Sequence, residues 1–188
     1  RCLVAGTEEW SEVVTHAYAQ IDRARRPGRH ADGAPPLSEG AAALVLELAS
    51  TAAERAGAVQ AALGGWSLGR CLGGDLEGAM AAAVRRAFAE TGRSAADADH
   101  ILPPIGRFRP EAIRACTSTR GAAAAPAAWL DIGRAAGNPA GASNLLQMAT
   151  SAALISAGTV NGPGLVLSAG VTGTLSAVVL CRPSGATT

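Results

Sequence analysis

The chain has 188 residues, a formal net charge of +1, and a composition that is 48% hydrophobic but only 3% aromatic. This length is enough for one sizeable domain or two small ones. A charge so close to zero gives no electrostatic basis for binding nucleic acid or an anionic membrane, so we expect neither as a partner. Alanine and glycine are so frequent that the core has to be built from small, closely packed side chains.

The spacing of the cysteines predicts free thiols. Cys2, Cys71, Cys116 and Cys181 form no CxxC pair and have no histidine at ligand spacing. We therefore expect neither a metal site nor a disulfide framework, and a reducing cytoplasm as the location. We also expect no membrane helix, since no stretch approaches roughly 18 apolar residues, and no signal peptide, since the sequence is strand-like from its first residues.

The first part of the sequence alternates apolar runs with turns. Residues 2–5 are apolar and end at a turn, which predicts a buried strand. Residues 9–24 have helical spacing, and residues 23–36 are basic and then rich in Gly and Pro, which predicts a surface loop. Residues 41–47 fit a strand buried on both faces, although so short an apolar run can also be helical. The apolar side of the helix at residues 9–24 consists of Trp10, Val13, Val14, Ala17 and Ile21.

The later part contains the clearest helix, at residues 75–91. Leu76, Met80, Val84 and Phe88 recur there every four residues and predict one buried face. The order of all predicted elements indicates an α/β layered fold. The remaining predictions are a helix or turn at 50–57, strands at 58–67 and 98–102, helices at 110–117 and 139–157, a loop or helix end at 121–128, and a hairpin of 165–168 with 175–180.

Several stretches, taken in order, resemble the β-ketoacyl synthases, the condensing enzymes of the thiolase superfamily. The string SEGAAALVLE at residues 38–47 resembles their GEGAxxLVLE segment, and residues 2–9 resemble the strand after their nucleophile helix. The resemblance runs from about residue 2 to residue 182. It implies a thiolase-like layered α-β-α-β-α fold, of which this chain supplies the later part. Residues 1–57 would end the first half, residues 58–182 would form the second half, and residues 183–188 would be a tail.

The resemblance also implies what chemistry to look for. A condensing enzyme needs a cysteine thiolate that carries the acyl group, imidazole or amide donors at the thioester oxygen, and backbone amides from a C-terminal glycine hairpin. The family's nucleophile precedes the strand that residues 2–5 resemble, so on this alignment it lies outside the sequence. The string RACTST, with Cys116, is only superficially similar to the family's TACSS site. It falls where the family has a surface helix, and we interpret Cys116 as a partly buried structural thiol.

Both catalytic histidines of the family lack a counterpart. The stretch LPPIGR at residues 102–107 stands in place of an HGTxT motif and keeps only Gly106. His100 lies upstream, and we predict a partly buried, hydrogen-bonded strand residue there. The stretch GRAAGNPAGASN at residues 133–144 matches KxxxGHxxGAAG, with Asn138 in place of the histidine. Asn138 can donate a hydrogen bond but cannot shuttle a proton, so it is a weak catalytic candidate. The interpretation that we favour is an N-cap before Pro139 at the first helical position.

The third motif is the terminal hairpin, where SAGVTGT at residues 168–174 overlays the family's SFGFGGT without a gap. By resemblance, Gly170, Val171, Thr172 and Gly173 form the acyl-pocket and oxyanion loop. Val171 replaces an aromatic residue that gates the pocket in the family, so the cavity would be more open or differently shaped. The alternative is an ordinary β-hairpin that uses the same glycines for its turn.

Three functions stay open at this point. The leading one is a ketosynthase-like subunit or half-domain of fatty-acid or polyketide biosynthesis. It would be non-catalytic, like a chain-length factor, and would shape the acyl cavity of a partner in a heterodimer. The expected partners are a complementary ketosynthase-like chain or N-terminal half and an acyl carrier protein, and no cofactor is implied. The alternatives are a divergent acyltransferase or condensing enzyme whose cysteine lies in a missing N-terminal half, and an Ala-rich α/β interaction protein.

The resemblance carries two further expectations. A strand at residues 2–5 with no strands before it would expose apolar surface, so we expect a first half elsewhere, as another chain, a cleaved piece or residues outside this numbering. We also expect residues 2–5, residues 41–47 and the terminal hairpin to lie in connected sheets.

Overall fold

The computed structural model describes residues 1–9, 11–13, 15–17, 20, 37–54, 58–71, 74–170 and 172–183. The strands are β1 (Cys2–Glu8), β2 (Gly40–Leu46), β3 (Ala62–Arg70), β4 (His100–Leu102), β5 (Ala128–Trp129), β6 (Gly164–Ala169) and β7 (Thr174–Cys181). The helices are α1 (Ala49–Glu54), α2 (Leu76–Ala89), α3 (Arg109–Arg120), α4 (Ile132–Ala136) and α5 (Ser143–Ser156), with a 3₁₀ turn at Ala95–Asp97.

The strands form two sheets. β1 and β2 make an antiparallel two-stranded sheet, in which Cys2 lies opposite Leu46 and Glu8 opposite Gly40. The other five strands form a mixed sheet in the order β3-β7-β6-β4-β5. In that sheet β4 runs parallel to β5 and β6, whereas β7 runs antiparallel to β6 and β3. We call these the small sheet and the large sheet.

The large sheet has helices packed on both faces, and side chains that alternate along each strand point to one face or the other. On β7, Leu175 and Val179 face a core made with α2 and α3. Val178 and Leu180 point to the opposite face of the sheet and pack against α5. The four-residue apolar repeat of α2 is confirmed as its packing face. Met80, Val84 and Phe88 are buried there, and Leu76 packs at the edge of the same core.

Small residues allow α2 to lie close to the sheet, as the composition predicts. A Cβ at Gly65 of β3 would overlap the backbone carbonyl of Ala87. Ala83 and Ala87 of α2 are fully buried in the same core. Helix and strand therefore approach more closely than any side chain at position 65 would permit.

Helix α5 lies between the two sheets. At its N-terminal end, a Cβ at Gly6 of β1 would lie only 2.7 Å from the carbonyl oxygen of Gly141 and 3.1 Å from Leu145 Cδ1. At its C-terminal end, Ile155 packs on Leu180 of the large sheet. The layers therefore run in the order small sheet, α5, large sheet, α2 with α3. This is the layered α/β arrangement that the resemblance implies.

The expectation that all these strands lie in connected sheets is wrong. Among the described residues, β1 and β2 form no ladder with the sheet that contains the terminal hairpin. The physical reason is the intervening helix layer, which is about 10 Å thick and keeps backbone groups of the two sheets out of hydrogen-bonding range. The sheets are joined by side-chain packing on α5 instead. The division of the chain at residue 57 stays a prediction.

Other boundaries differ in detail from the sequence expectations. Residues 12, 13, 15–17 and 20 are helical, whereas Trp10, Val14 and Ile21 of the predicted apolar side lie outside the described residues. Val13 is 78% exposed, so the predicted burial is wrong there. The strand expected at 58–67 is displaced to Ala62–Arg70, because its pairing with β7 continues to Thr174. In the part of the chain that is described, no helix has the length and apolar character needed to cross a membrane.

Candidate functional site

The turn between β6 and β7 is held by its own backbone. The Gly170 amide donates to the Thr174 carbonyl at 2.7 Å, and the Gly173 amide donates to the Gly170 carbonyl at 2.9 Å. The hydroxyls of Thr172 and Thr174 are 3.2 Å apart. Val171 lies outside the described residues. Both glycine amides thus already have an acceptor in this conformation.

The turn is also fixed to the end of β3. The Cys71 amide donates to the Gly173 carbonyl at 2.8 Å. Gly173 has a φ of +86°, and a Cβ there would lie 2.9 Å from the Cys71 carbonyl oxygen. Glycine is required at this position both for the left-handed backbone and for the close approach.

Asn138 lies in the loop before α5 and faces Gly106. Its carbonyl accepts the Ser38 amide at 3.2 Å, and its Oδ1 accepts the Ser143 hydroxyl at 3.1 Å. A Cβ at Gly106 would lie 3.9 Å from Asn138 Nδ2. The structure therefore brings together Gly106 and Asn138, which the sequence analysis drew from two separate stretches of the chain.

The interpretation of Asn138 as the N-cap of a helix starting at Pro139 is wrong. The helix starts at Ser143, its cap residue is Ala142, and that cap has no side-chain hydrogen bond. The loop before it is held by a long-range contact, because the Gly141 amide donates to Glu8 Oε2 of β1 at 2.7 Å. Asn138 Oδ1 accepts the Ser143 hydroxyl, and the Gly141 amide is bound to β1. The Asn138 side chain therefore does not accept a backbone amide as an N-cap does.

Cys116 is a structural thiol. Its side chain is fully buried on α3, and this burial raises the pKa of Cys116 to about 12, an effect that Arg120 opposes only in part. A nucleophilic cysteine needs the opposite shift, since the thiolate is the reactive form. The burial is more complete than the sequence suggested.

His100 is a hydrogen-bonded strand residue, as predicted, but it is fully buried and not partly buried. Its Nε2 and the Ser151 hydroxyl of α5 are hydrogen-bonded at 2.7 Å. Burial lowers the pKa of His100, and the neighbouring Asp99 carboxylate opposes that shift. A Cβ at Gly164 would overlap both members of the pair, so the space around them is filled. His100 has no room for a substrate.

The sequence analysis missed a polar row on α5. Ser143, Gln147 and Ser151 are all buried, and Gln147 Nε2 donates to the Pro103 carbonyl at 2.6 Å. The signal was present, because these residues recur every four positions in an otherwise Ala-rich helix. This row joins the helix to the end of β4 and to the loop that contains Asn138.

A cleft of about 620 Å³ opens beside the tip of the terminal hairpin. Arg114 of α3 bridges to Glu77 of α2 beside it, with Nε and Oε2 2.8 Å apart. Asn138 is not among the lining residues, so the two predicted parts of the site do not share this cleft. Among the described residues, no three His, Cys, Asp or Glu side chains are placed to hold a metal ion. The lining residues are Cys71, Gly74, Asp75, Leu76, Glu77, Phe108, Glu111, Arg114, Gly170, Thr172 and Gly173.

Comparison with known proteins shows a likeness of structure only. No protein-family model and no curated protein matches the sequence. A β-ketoacyl synthase from Burkholderia phymatum STM815 superposes with a TM-score of 0.78 at 16% identity, over 96% of this chain and 54% of that one. This chain has the thiolase-like fold of the ketosynthases. The ishigamide ketosynthase/chain length factor gives a TM-score of 0.77 at 16% identity, over 96% and 53% of the two chains.

The third ketosynthase structure is the AntDE:AntF complex, a type II polyketide synthase acyl carrier protein with its ketosynthase bound to the hexaketide. It has a TM-score of 0.74 at 16% identity and covers 96% of this chain and 56% of that one. The chain thus spans about half the length of the ketosynthases that it matches. The likeness is to their C-terminal half, as the order of the sequence motifs implies.

Proposed function

We propose that this chain is a ketosynthase-like subunit or half-domain of polyketide or fatty-acid biosynthesis. It does not itself catalyse condensation and shapes the acyl cavity of a complementary ketosynthase-like partner that an acyl carrier protein serves. The observation that carries this proposal is the proximity of Gly106 to Asn138, because neither Asn138 nor Ile105, the residue before Gly106, has an imidazole.

The environment of His100 supports the proposal. Its imidazole is buried against Ser151 and its pKa is lowered, so it does not replace a missing catalytic base. The other described histidine, His16, is exposed, and its Nε2 is hydrogen-bonded to Gln20 Nε2 at 3.1 Å. Proton transfer near neutral pH is the task that an amide such as that of Asn138 cannot perform.

The turn between β6 and β7 also supports the proposed function. The Gly170 and Gly173 amides are engaged inside the turn, whereas an oxyanion hole needs donors directed at the substrate oxygen. The role of Gly170, Val171, Thr172 and Gly173 in this proposal is to form part of the wall of the acyl cavity.

The proposal is tested by reconstitution with the complementary ketosynthase chain and its acyl carrier protein. Condensation is expected to require this chain and to stay within about twofold of wild type in Asn138→Ala. Asn144→Ala, which removes an exposed amide from the first turn of α5, is the matched control. A loss of condensation in Asn138→Ala with the control unchanged would contradict a purely structural role.

One observation favours a second function, the divergent condensing enzyme. Asn138 Nδ2 faces Gly106, so it could donate a hydrogen bond to a thioester oxygen. In that case a partner cysteine would form an acyl-enzyme visible by mass spectrometry. Asn138→Ala would then lower the rate by about 10²–10³-fold, as loss of an oxyanion donor does. The third interpretation, an unrelated α/β scaffold, loses support because the fold is that of the ketosynthases.

A further inference from the structure

The edge of the large sheet formed by β3 has no neighbouring strand in the part of the chain that is described. β3 pairs with β7 on one side, and no described strand pairs with its other side. Such an edge offers backbone amides and carbonyls to a further strand, and proteins usually protect it with charged side chains or proline. Ala62–Arg70 contains no proline, and its only charged residue is the last one.

One face of this edge carries an exposed apolar row. Leu63 lies opposite Leu180 and Trp66 opposite Val178, and both of these partners pack against α5. Opposite residues of antiparallel strands point to the same face. Leu63, Trp66 and Leu68 therefore point to the α5 side of the sheet, and they are 49%, 53% and 64% exposed. We call these three residues the β3 row.

The opposite face of the same edge carries arginines. Arg86 of α2 lies over the later part of β3, because its Nε donates to Ser67 Oγ at 3.3 Å. Arg93 lies near the earlier part, beside Cys181, which is opposite Ala62 and packs against the α2 core. Burial raises the pKa of the Cys181 thiol, and the positive charge of Arg93 opposes that rise. One guanidinium group therefore lies near each end of the strand.

The charge at this edge is positive. Arg70, Arg86 and Arg93 are exposed, and none of the ion pairs in the described part of the chain includes any of them. Glu90, the C-cap residue of α2, is exposed between Arg86 and Arg93 in the sequence and supplies one opposing charge. The surplus of positive charge attracts a strand that presents acidic side chains.

We propose that an extended, acidic segment of another protein docks on β3 and continues the large sheet. Alternate residues of this segment are acidic and face Arg86 and Arg93, and the residues between them are apolar and face the β3 row. Hydrogen bonds to the β3 backbone supply affinity, and the side chains on the two faces select the partner. This inference goes beyond the proposed function and does not depend on it, because only β3 and its surroundings carry it.

A second β3 strand is a poor match for this edge. In an antiparallel pair about a two-fold axis, the later part of β3 lies beside the earlier part of the second copy. Arg86 of one copy would then lie close to Arg93 of the other, and this repulsion would occur twice. The charge pattern therefore favours a different, acidic strand.

The other described elements of a second copy fit no better. Near the small sheet, Glu8 is bound to the Gly141 amide and Glu47 to Arg1, so both carboxylates are already engaged. The helical residues around Val13 carry an exposed apolar side chain. A helix uses its backbone amides internally, so this segment does not pair with the backbone of a strand edge.

The test is a binding measurement with synthetic peptides. The protein is the full gene product, purified from its host with any chain that co-purifies. The probe is a short fluorescent peptide in which glutamate and valine alternate, and the matched control peptide carries lysine in place of glutamate. Fluorescence anisotropy is expected to show at least tenfold tighter binding of the glutamate peptide, because the arginines attract one peptide and repel the other.

Two N-methylated forms of the glutamate peptide test the strand pairing itself. Alternate residues of a strand direct their backbone groups to the same neighbour, so methylation at every glutamate or at every valine blocks the amides of one edge only. One form is expected to bind like the parent peptide, and the other at least tenfold more weakly. Equal binding of the two forms, or of the glutamate and lysine peptides, would overturn the inference.

Charge substitutions around β3 provide an independent measurement. Arg86→Glu and Arg93→Glu are each expected to weaken binding of the glutamate peptide about fivefold, whereas Glu90→Gln should strengthen it about twofold. Arg134→Glu makes the same charge change on α4, which follows β5 at the opposite edge of the large sheet, and should have no effect. All four residues are exposed, so circular dichroism should stay unchanged. Equal binding by the three arginine variants would contradict the docking surface.

Trp66→Asp separates the proposed partner from a second copy of this chain. It is expected to weaken binding of the glutamate peptide at least fivefold, because it removes the centre of the β3 row, and to leave the oligomeric state of the gene product unchanged. If no peptide binds and Trp66→Asp converts a dimer into a monomer by light scattering, the edge belongs to a second copy and the inference fails.

Discussion

Asn138 shows how an amide side chain separates hydrogen bonding from proton transfer. Its Oδ1 is taken by Ser143, and its Nδ2 faces Gly106. An amide at this position can donate one hydrogen bond at any pH, whereas an imidazole can also gain and lose a proton near neutrality. The proposed function rests on this difference, because the resembling stretch has glycines on both sides of Asn138 but no acid–base group at that position.

At the same scale, His100 should make the stability of the protein depend on pH. Burial lowers its pKa below the usual 6.5 in the folded state, so the unfolded chain binds the proton more readily. Its stabilising contribution is complete above pH 6.5. It is lost as pH falls below that value, by up to about 1.4 kcal/mol per pH unit. Urea unfolding between pH 5 and 8 measures this.

The variant that tests this prediction is His100→Gln, which removes the buried imidazole. His100→Gln should be less stable at pH 8 and should lose most of the slope between pH 5 and 7. An unchanged slope in His100→Gln would show that another group is responsible.

Cys116 gives a second test at this scale. With its pKa raised to about 12 and its side chain fully buried, its thiol should not react with iodoacetamide at pH 8 in the folded protein. Cys2 is exposed and should react under the same conditions. Peptide mass spectrometry distinguishes them, and rapid labelling of Cys116 before Cys2 would contradict the structural interpretation.

Among the elements, α5 decides how the layers are joined. Ser151 binds His100 of β4 and Gln147 binds Pro103 just after that strand. Ser143 binds the loop before α5, and that loop binds β1 through Gly141. Buried polar groups are favourable only when they are paired, and here each hydroxyl or amide has a named partner. The helix is therefore fixed in register against the large sheet by hydrogen bonds as well as by apolar packing.

The close packing of α2 on β3 gives the prediction at the element scale. Gly65→Ala places a Cβ against the Ala87 carbonyl, so α2 has to move. We expect a loss of about 1–3 kcal/mol in the free energy of unfolding. Gly69→Ala on the same strand is the control. Its Cβ would lie 3.2 Å from Arg86 Nη2 and near no backbone atom, so the change should stay within about 0.5 kcal/mol. Equal effects would contradict this packing.

For the whole molecule, the exposed apolar side chains predict that the 188-residue chain is not a stable monomer by itself. Leu3 and Val45, paired across the small sheet, are 69% and 64% exposed. A two-stranded sheet is marginal by itself in water, and exposed apolar patches promote association. We expect the isolated chain to self-associate and to bind a hydrophobic dye, and its complementary half to suppress both.

Light scattering and calorimetry check this expectation. The complex with the complementary half should scatter as a single species and unfold in one sharp transition. An isolated chain that is monomeric, binds no dye and unfolds cooperatively would contradict the prediction.

Much of the fold could be predicted from local signals. The repeat of Met80, Val84 and Phe88 indicated α2, and the glycines around residues 170–173 indicated the terminal turn. These signals arise from side-chain periodicity and backbone sterics within a few residues, so a single sequence contains them. The start of α5 could not be predicted, because it depends on a hydrogen bond between Gly141 and Glu8, 133 residues apart.

By itself, the sequence determined the order of the elements, the retained glycines and the absence of an imidazole at position 138, because each is a local property of the residues themselves. Only the tertiary structure decided that Asn138 meets Gly106, that Cys116 is fully buried and that the Gly170 and Gly173 amides are engaged within their turn. Burial and hydrogen-bond partners depend on which distant segments come together, and no short stretch of sequence specifies that.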